Sequence, residues 1–125
     1  MGDMRIMLVD DNGDLRRGMR DYLARQEGMK VVAECPSGAE ALEALGKVRV
    51  DVMVLDLIMP QMDGFDVLKV MRCYSWLDEI PVIMISAAKD TANIERAYDL
   101  GVADYMRRPF ERVMVLRQVQ NVLML

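Results

Sequence analysis

The 125-residue sequence contains no histidine. This absence excludes catalysis by a Ser–His or Cys–His pair, zinc bound through imidazole, and a phosphohistidine on the chain itself. Cysteine is scarce as well, with only Cys35 and Cys73 present. Two thiols cannot build a disulfide framework, and their separation matches no metal-binding motif, so we expect both to be reduced, as is usual in the cytoplasm.

The sequence also lacks a long apolar run and an excess of basic residues. No apolar stretch reaches the roughly 18 residues that a membrane-spanning helix needs, and no apolar signal core follows the N-terminal charges. The 16 Lys and Arg residues are outnumbered by 20 Asp and Glu, which gives a net charge of −4 and a pI near 4.8. Since no repeat or linker interrupts the chain, these features predict one cytoplasmic domain over residues 1–125 that binds neither membranes nor nucleic acid.

Short apolar segments alternate with segments of helical periodicity along the chain. Between the apolar segments and after the last one, apolar positions recur at three- and four-residue spacing, which predicts five helices. Such alternation is typical of an α/β domain whose helices cover both faces of a parallel sheet. The predicted strands are Met4–Val9, Lys30–Glu34, Asp51–Leu55, Pro81–Ile85 and Asp104–Met106.

Polar side chains stand where the predicted strands end. Asp10 and Asp11 follow the first strand, Asp56 the third and Ser86 the fourth, and Arg108 comes shortly after the fifth. Each has an ordinary interpretation as a helix cap, a turn residue or a solvated charge. Because open parallel sheets bind ligands at the carboxyl ends of their strands, the convergence of all five residues at one edge favours a functional site.

The predicted cluster of three carboxylates indicates a cation, because neighbouring carboxylates repel one another unless a positive charge lies close by. Oxygen ligands without histidine or cysteine suit Mg²⁺ or Mn²⁺. A carboxylate nucleophile beside a hard metal, a hydroxyl and a guanidinium can accept a phosphoryl group. Glycine-rich nucleotide-binding motifs are absent from the sequence. We therefore expect metal-dependent phosphoryl chemistry rather than nucleotide binding.

At these positions the sequence resembles the receiver domains of bacterial two-component response regulators. The resemblance rests on MLVDDN at the acidic pair, VLDLIMPQMDG around Asp56, MISA at Ser86 and GVADYMRRPF before the last helix. It implies a three-layer, flavodoxin-like fold, in which a five-stranded parallel sheet of order 2-1-3-4-5 is flanked by five helices. Within the second motif, Asp63–Gly64 is interpreted as a turn in which glycine can supply a positive φ.

The resemblance also implies the chemistry of the acidic residues. Asp56 would be the phosphoacceptor, and Asp11 and Asp56 would bind Mg²⁺ directly, together with the backbone carbonyl of Ile58. Asp10 would assist metal binding through a water molecule or by contacting the direct ligands. The phosphodonor would be a sensor histidine kinase or a histidine phosphotransfer protein, since this chain has no histidine of its own.

Phosphorylation would be read out around the fifth strand. By the same resemblance, Ser86 and Arg108 would bind the phosphoryl oxygens, and Tyr105 would turn inward as Ser86 moves. Pro109 stands where the family usually has a cis peptide bond. The switching surface would consist of the fourth predicted helix, the fifth strand and the last helix. Its partners would be an output domain, a downstream protein or a second copy of the chain.

Arg108 departs from the family, which has lysine before the proline. Because a guanidinium can pair with Asp10 or Asp56 at rest, a second hypothesis is a phosphate-independent docking or dimerisation module, a pseudo-receiver whose pocket Arg108 keeps closed. A free-standing phosphatase is disfavoured, because Asp56-Leu57-Ile58 offers no acid two residues after the nucleophile. We expect a receiver that assists its own phosphorylation and dephosphorylation but is not an independent enzyme. Because most of the family carry an output module, we expect it to be part of a longer protein, although a stand-alone regulator would show the same sequence features.

Overall fold

The computed structural model describes residues 2–87 and 91–123, and these residues form one parallel five-stranded sheet. Each strand lies within one residue of the segment that the sequence predicted. The strands are β1 (Met4–Val9), β2 (Met29–Cys35), β3 (Val52–Asp56), β4 (Val82–Ser86) and β5 (Asp104–Arg107). Their order in the sheet is β2-β1-β3-β4-β5, with parallel pairing throughout, which confirms the expected topology.

The described residues contain six helices, where the sequence predicted five. The helices are α1 (Gly13–Ala24), α2 (Gly38–Leu45), α3 (Gly64–Cys73), α4 (Trp76–Glu79), α5 (Thr91–Asp99) and α6 (Arg112–Leu123). The additional helix is α4, a single turn of four residues that follows Ser75, whose φ is 61°. A single turn is too short to show a recurring apolar pattern, so periodicity could not have predicted it.

Two apolar clusters cover the two faces of the sheet. Along β1, Met7 and Val9 belong to one cluster, and Ile6 and Leu8 belong to the other. Residues of α2, α3 and α5 complete the first cluster, and residues of α1 and α6 complete the second. This arrangement confirms the three-layer architecture. None of the helices in the described part of the chain is long and apolar enough to cross a membrane.

The Asp63–Gly64 pair starts helix α3 and does not form a turn with a positive φ. The Asp63 side chain accepts a hydrogen bond from the backbone N–H of Asp66 at 2.9 Å, and the Asp66 side chain accepts one from the N–H of Asp63 at 3.1 Å. A Cβ atom at Gly64 would lie 3.0 Å from both the Asp56 carbonyl oxygen and the Leu57 Cα. Glycine is therefore needed there for the close approach of α3 to the end of β3, and not for a special backbone angle.

Candidate functional site

Three carboxylates meet at the carboxyl end of the sheet. Asp10 and Asp11 follow β1 directly, and Asp56 is the last residue of β3, which pairs with β1. One oxygen of each carboxylate lies within 4.8 Å of the other two. Asp56 is buried, Asp10 is half-buried and Asp11 is exposed, so the cluster is reached from solvent on the Asp11 side.

The Asp56 carboxylate is held in surroundings that disfavour its charge. Burial, reinforced by the nearby charge of Asp10, raises the pKa of Asp56 to about 7. The Arg108 guanidinium and a backbone hydrogen bond from Ile58 lower the same pKa without cancelling the rise. A divalent cation among the three carboxylates would relieve this penalty, and carboxylate oxygens are the ligands that Mg²⁺ and Mn²⁺ prefer. The donor set therefore fits such a metal, with the Ile58 backbone beside it.

Arg108 reaches the acidic cluster from the opposite end of the sequence. Its Nη2 donates a hydrogen bond to Asp10 Oδ2 at 2.7 Å and lies 3.9 Å from Asp56 Oδ1. The segment that carries Arg108 is fixed to β4, because the backbone N–H of Arg108 donates to the Ser86 carbonyl oxygen at 2.9 Å. The Arg108–Pro109 peptide bond is cis. The guanidinium is therefore already engaged with a carboxylate of the cluster.

Ser86 lies on β4, which pairs with the strand of Asp56, and Tyr105 lies on β5, one strand further out. Ser86 ends β4 and is completely buried, and its neighbour Ile85 pairs with Asp56 across the sheet. Tyr105 pairs with Met84 in the middle of β5 and packs against the apolar cluster of the α2, α3 and α5 face. The Tyr105 hydroxyl is buried without a hydrogen-bond partner among the described residues. The ring therefore points inward here, which leaves a polar atom in an apolar environment.

Arg16 is a further residue at the site that the sequence reasoning missed. Its Nη1 donates to the backbone oxygen of Asp10 at 2.6 Å, and its Nε donates to Glu34 at 3.4 Å. Glu34 also accepts a hydrogen bond from Arg20 at 2.9 Å. The network ties the loop after β1 to both α1 and β2. No local sequence pattern indicates that Arg16 contacts the site, because a basic residue on a helix is ordinarily a solvated charge.

The chain matches the family model of the response regulator receiver domain over residues 6–120. It is 32% identical over 120 residues to response regulator RR06 of Streptococcus pneumoniae, covering 96% of this chain and 53% of that protein. It is 36% identical over 107 residues to the DNA-binding response regulator MtrA of Mycobacterium tuberculosis, covering 86% of this chain and 45% of the relative. The chain thus spans about half the length of these curated relatives.

A solved structure shares the fold over nearly the whole chain. The signal receiver domain of the putative response regulator NarL from Mycobacterium tuberculosis superimposes with a TM-score of 0.89 at 30% identity. The match covers 97% of this chain and 96% of that one. The arrangement of sheet and helices described above is therefore that of a solved signal receiver domain.

Proposed function

Because this chain belongs to the response regulator receiver domain family, which acts in two-component signalling, we propose that it accepts a phosphoryl group on Asp56 in a Mg²⁺-dependent reaction. The observation that carries the proposal is the meeting of three carboxylates within 4.8 Å at the end of the sheet. Asp56 is the buried member of this cluster, and Arg108 stands beside it. This arrangement combines a carboxylate nucleophile with a place for a metal and a cation for the transferred group.

In the proposed reaction, one carboxylate oxygen of Asp56 attacks the phosphorus of a phosphohistidine on a sensor histidine kinase or a histidine phosphotransfer protein. The new O–P bond forms as the N–P bond breaks, and the electron pair of the broken bond returns to the partner's imidazole. Mg²⁺ (or Mn²⁺) bound by Asp11, Asp56 and the Ile58 carbonyl, with Asp10 assisting, would offset the charge of both reactants. The domain assists this transfer and the later hydrolysis but is not a free-standing enzyme.

The proposed switch consists of Ser86, Arg108 and Tyr105. The new dianion attracts the Ser86 hydroxyl and the Arg108 guanidinium, and it draws the guanidinium away from Asp10. Movement at Ser86 changes the packing around Tyr105, whose inward hydroxyl has no partner among the described residues. The readout is a change in the switching surface, which consists of α5 (the fourth helix predicted from the sequence), β5 and α6. Strand β5 carries Tyr105 and lies between these two helices along the chain.

The partners follow from the same proposal. The relatives of about twice this length include a protein described as a DNA-binding response regulator. We therefore propose that an output domain or a downstream protein reads the switching surface, and that any nucleic-acid binding belongs to it and not to this acidic domain. A second copy of the chain is the other proposed partner, and the proposed location is the cytoplasm.

The intact mass of the protein after incubation with acetyl phosphate and Mg²⁺ tests the phosphoacceptor. Wild type should gain one phosphoryl group, and chelation of the metal should prevent the gain. Asp56→Asn should gain nothing, whereas Asp51→Asn should behave like wild type, because Asp51 precedes the same strand and lies at its opposite end. Modification of Asp56→Asn would place the acceptor elsewhere. If wild type gains no mass, a beryllofluoride complex should be sought, because rapid hydrolysis could remove the phosphoryl group.

The 2.7 Å contact between Arg108 and Asp10 favours one alternative, the phosphate-independent docking or dimerisation module. In such a module the guanidinium replaces the metal permanently. Thermal unfolding with and without Mg²⁺ separates the two functions, because a ligand that binds only the native state raises its stability. A switch should be stabilised by Mg²⁺. A closed pocket should not respond until Arg108→Lys replaces the planar fork with a compact ammonium.

A further inference from the structure

A cavity of about 300 Å³ lies between α1 and α6, next to the acidic cluster. Its floor consists of the buried strand residues Leu8, Val54 and Ile85, and its α1 wall includes Leu15 and Met19. The volume is at the lower end of the range of about 300–1,000 Å³ that is usual for small-molecule sites. An apolar cavity of roughly 150 Å³ can hold benzene, so this one has room for about two fused rings.

Three guanidinium groups border the cavity, and two of them are already engaged. Arg16 donates to the Asp10 backbone oxygen and to Glu34, and Arg108 donates to the Asp10 carboxylate. Arg112, the first residue of α6, lines the cavity as well. Among the residues that the structure describes, no carboxylate lies within ion-pair distance of Arg112.

The position of the Arg112 guanidinium depends on Gly18. The guanidinium lies so close to α1 at this glycine that a side chain there would collide with it. Arg112 therefore extends from α6 to α1 across the opening of the cavity, and its side chain is exposed to solvent. On the facing wall, Leu15 is an apolar residue that remains 49% exposed. An unpaired cation and an accessible apolar wall therefore face the same opening.

We infer that this cavity binds a small aromatic carboxylate, with the ring system on the apolar floor and the carboxylate paired with Arg112. Phe110, which also lines the cavity, adds an aromatic surface for the rings. A compact inorganic anion fits less well, because it leaves the apolar floor empty. An uncharged aromatic molecule would leave Arg112 without a partner. The inference concerns the unphosphorylated, metal-free protein and does not depend on the function proposed for Asp56.

Titration with 2-naphthoate, followed by amide chemical shifts in metal-free buffer, tests the inference. For a ligand with roughly thirteen non-hydrogen atoms, the dissociation constant should be on the order of 1 mM. The shifts should concentrate at Leu15, Met19 and Phe110. The neutral analogue 2-naphthalenemethanol should bind roughly fivefold to tenfold more weakly, because it cannot form a charge-assisted pair with Arg112.

Arg112→Gln should weaken 2-naphthoate binding by roughly the same factor and leave the affinity for the alcohol unchanged. Arg117→Gln is the matched control, since Arg117 is another exposed arginine of α6 that does not line the cavity. Equal affinity for the carboxylate and the alcohol would overturn the inference, as would equal effects of the two arginine substitutions. The absence of shifts at the cavity residues up to about 10 mM ligand would also overturn it, because that is tenfold above the expected dissociation constant.

Discussion

The burial of the Asp56 carboxylate beside two other carboxylates is electrostatically unfavourable in the native, metal-free protein. This carboxylate is buried at the end of β3, with Asp10 and Asp11 close by. Arg108 offsets part of this cost, but its shortest contact is with Asp10 at 2.7 Å and not with Asp56 at 3.9 Å. The fold thus disfavours the charge of the proposed phosphoacceptor, and such perturbed groups are common at functional sites.

The cost predicts that Asp56→Asn stabilises the protein at alkaline pH. The native pKa of Asp56 is about 7 and its ordinary value is 3.8, so between these values the native state binds more protons than the unfolded state. Wild-type stability should therefore fall as pH rises through this window, and asparagine removes the fall because it does not ionise. We expect a gain in unfolding free energy on the order of 2 kcal/mol at pH 8, shrinking toward pH 4.

Urea unfolding at several pH values in chelator-treated buffer measures this difference. Glu27→Gln is the control, because Glu27 is an exposed carboxyl residue in the turn after α1. It should follow the wild-type pH dependence. If the curves of wild type and Asp56→Asn stay parallel from pH 4 to pH 8, burial does not disfavour the charge of Asp56.

At the scale of single residues, the sequence predicted which groups would gather but not how they would pair. The ends of the predicted strands indicated Asp10, Asp11, Asp56 and Arg108 as neighbours, and the structure brings these four together. The sequence left Asp10 and Asp56 open as partners of Arg108. Arg108 and Asp10 are 98 positions apart in the sequence, so no local sequence pattern indicates which carboxylate the guanidinium contacts.

At the scale of elements, the packing of α3 against the end of β3 depends on Gly64. A Cβ atom there would meet backbone atoms of Asp56 and Leu57 at 3.0 Å and the Met84 methyl group at 2.9 Å. The two backbone contacts cannot be relieved by rotating a side chain. The start of α3 is therefore held against the strand that carries Asp56, and this fixes the loop between them.

Gly64→Ala should destabilise the fold by about 1–3 kcal/mol, even though alanine favours helices, because the overpacked contact must push α3 away from β3. Gly46→Ala is the control, since its added Cβ would have only an ordinary contact at 3.5 Å and its φ is −78°. That substitution should be neutral or stabilising by up to about 1 kcal/mol. Chemical denaturation of both variants measures the difference, and equal stabilities would show that α3 can move outward without cost.

The elements also show where sequence patterns stop being informative. The alternation of apolar segments placed every strand to within one residue, because burial on both faces selects continuous apolar runs. The four-residue helix α4 has no such signature. The sequence suggests that Gly64 provides a positive φ. In the structure, Gly64 is needed because a Cβ atom would collide with Asp56, Leu57 and Met84, and no local pattern indicates these contacts.

At the scale of the whole molecule, two helical layers enclose a sheet whose three central strands are almost entirely buried. The apolar character of these strands predicted cover on both faces. The strand order did not follow from the pattern, because apolar segments do not specify which neighbour they pair with, and it came from the resemblance to receiver domains. The same limit applies to the division of helices between the faces.

The reactivity of the two cysteines reports how often the native structure of this domain opens. Cys35 ends β2 and is only 4% exposed, whereas Cys73 ends α3 and is exposed. Burial, with a smaller effect of Glu40, raises the pKa of Cys35 to about 11. Because the thiolate is the reactive form, this rise alone lowers the reactive fraction of Cys35 roughly hundredfold at pH 8. Steric protection by the fold adds to that factor.

We therefore expect iodoacetamide to modify Cys73 quickly and Cys35 only when the native structure opens. In Cys73→Ser, which leaves Cys35 as the single thiol, modification should accelerate with urea in proportion to the unfolded population. Mg²⁺ should slow it if the acidic cluster binds the metal, because a ligand of the native state lowers that population. Modification that does not respond to urea would instead mean that β2, an edge strand, opens locally without global unfolding. If the modification of Cys35 responds to urea but not to Mg²⁺, it still occurs through cooperative unfolding, and the proposed metal site is contradicted.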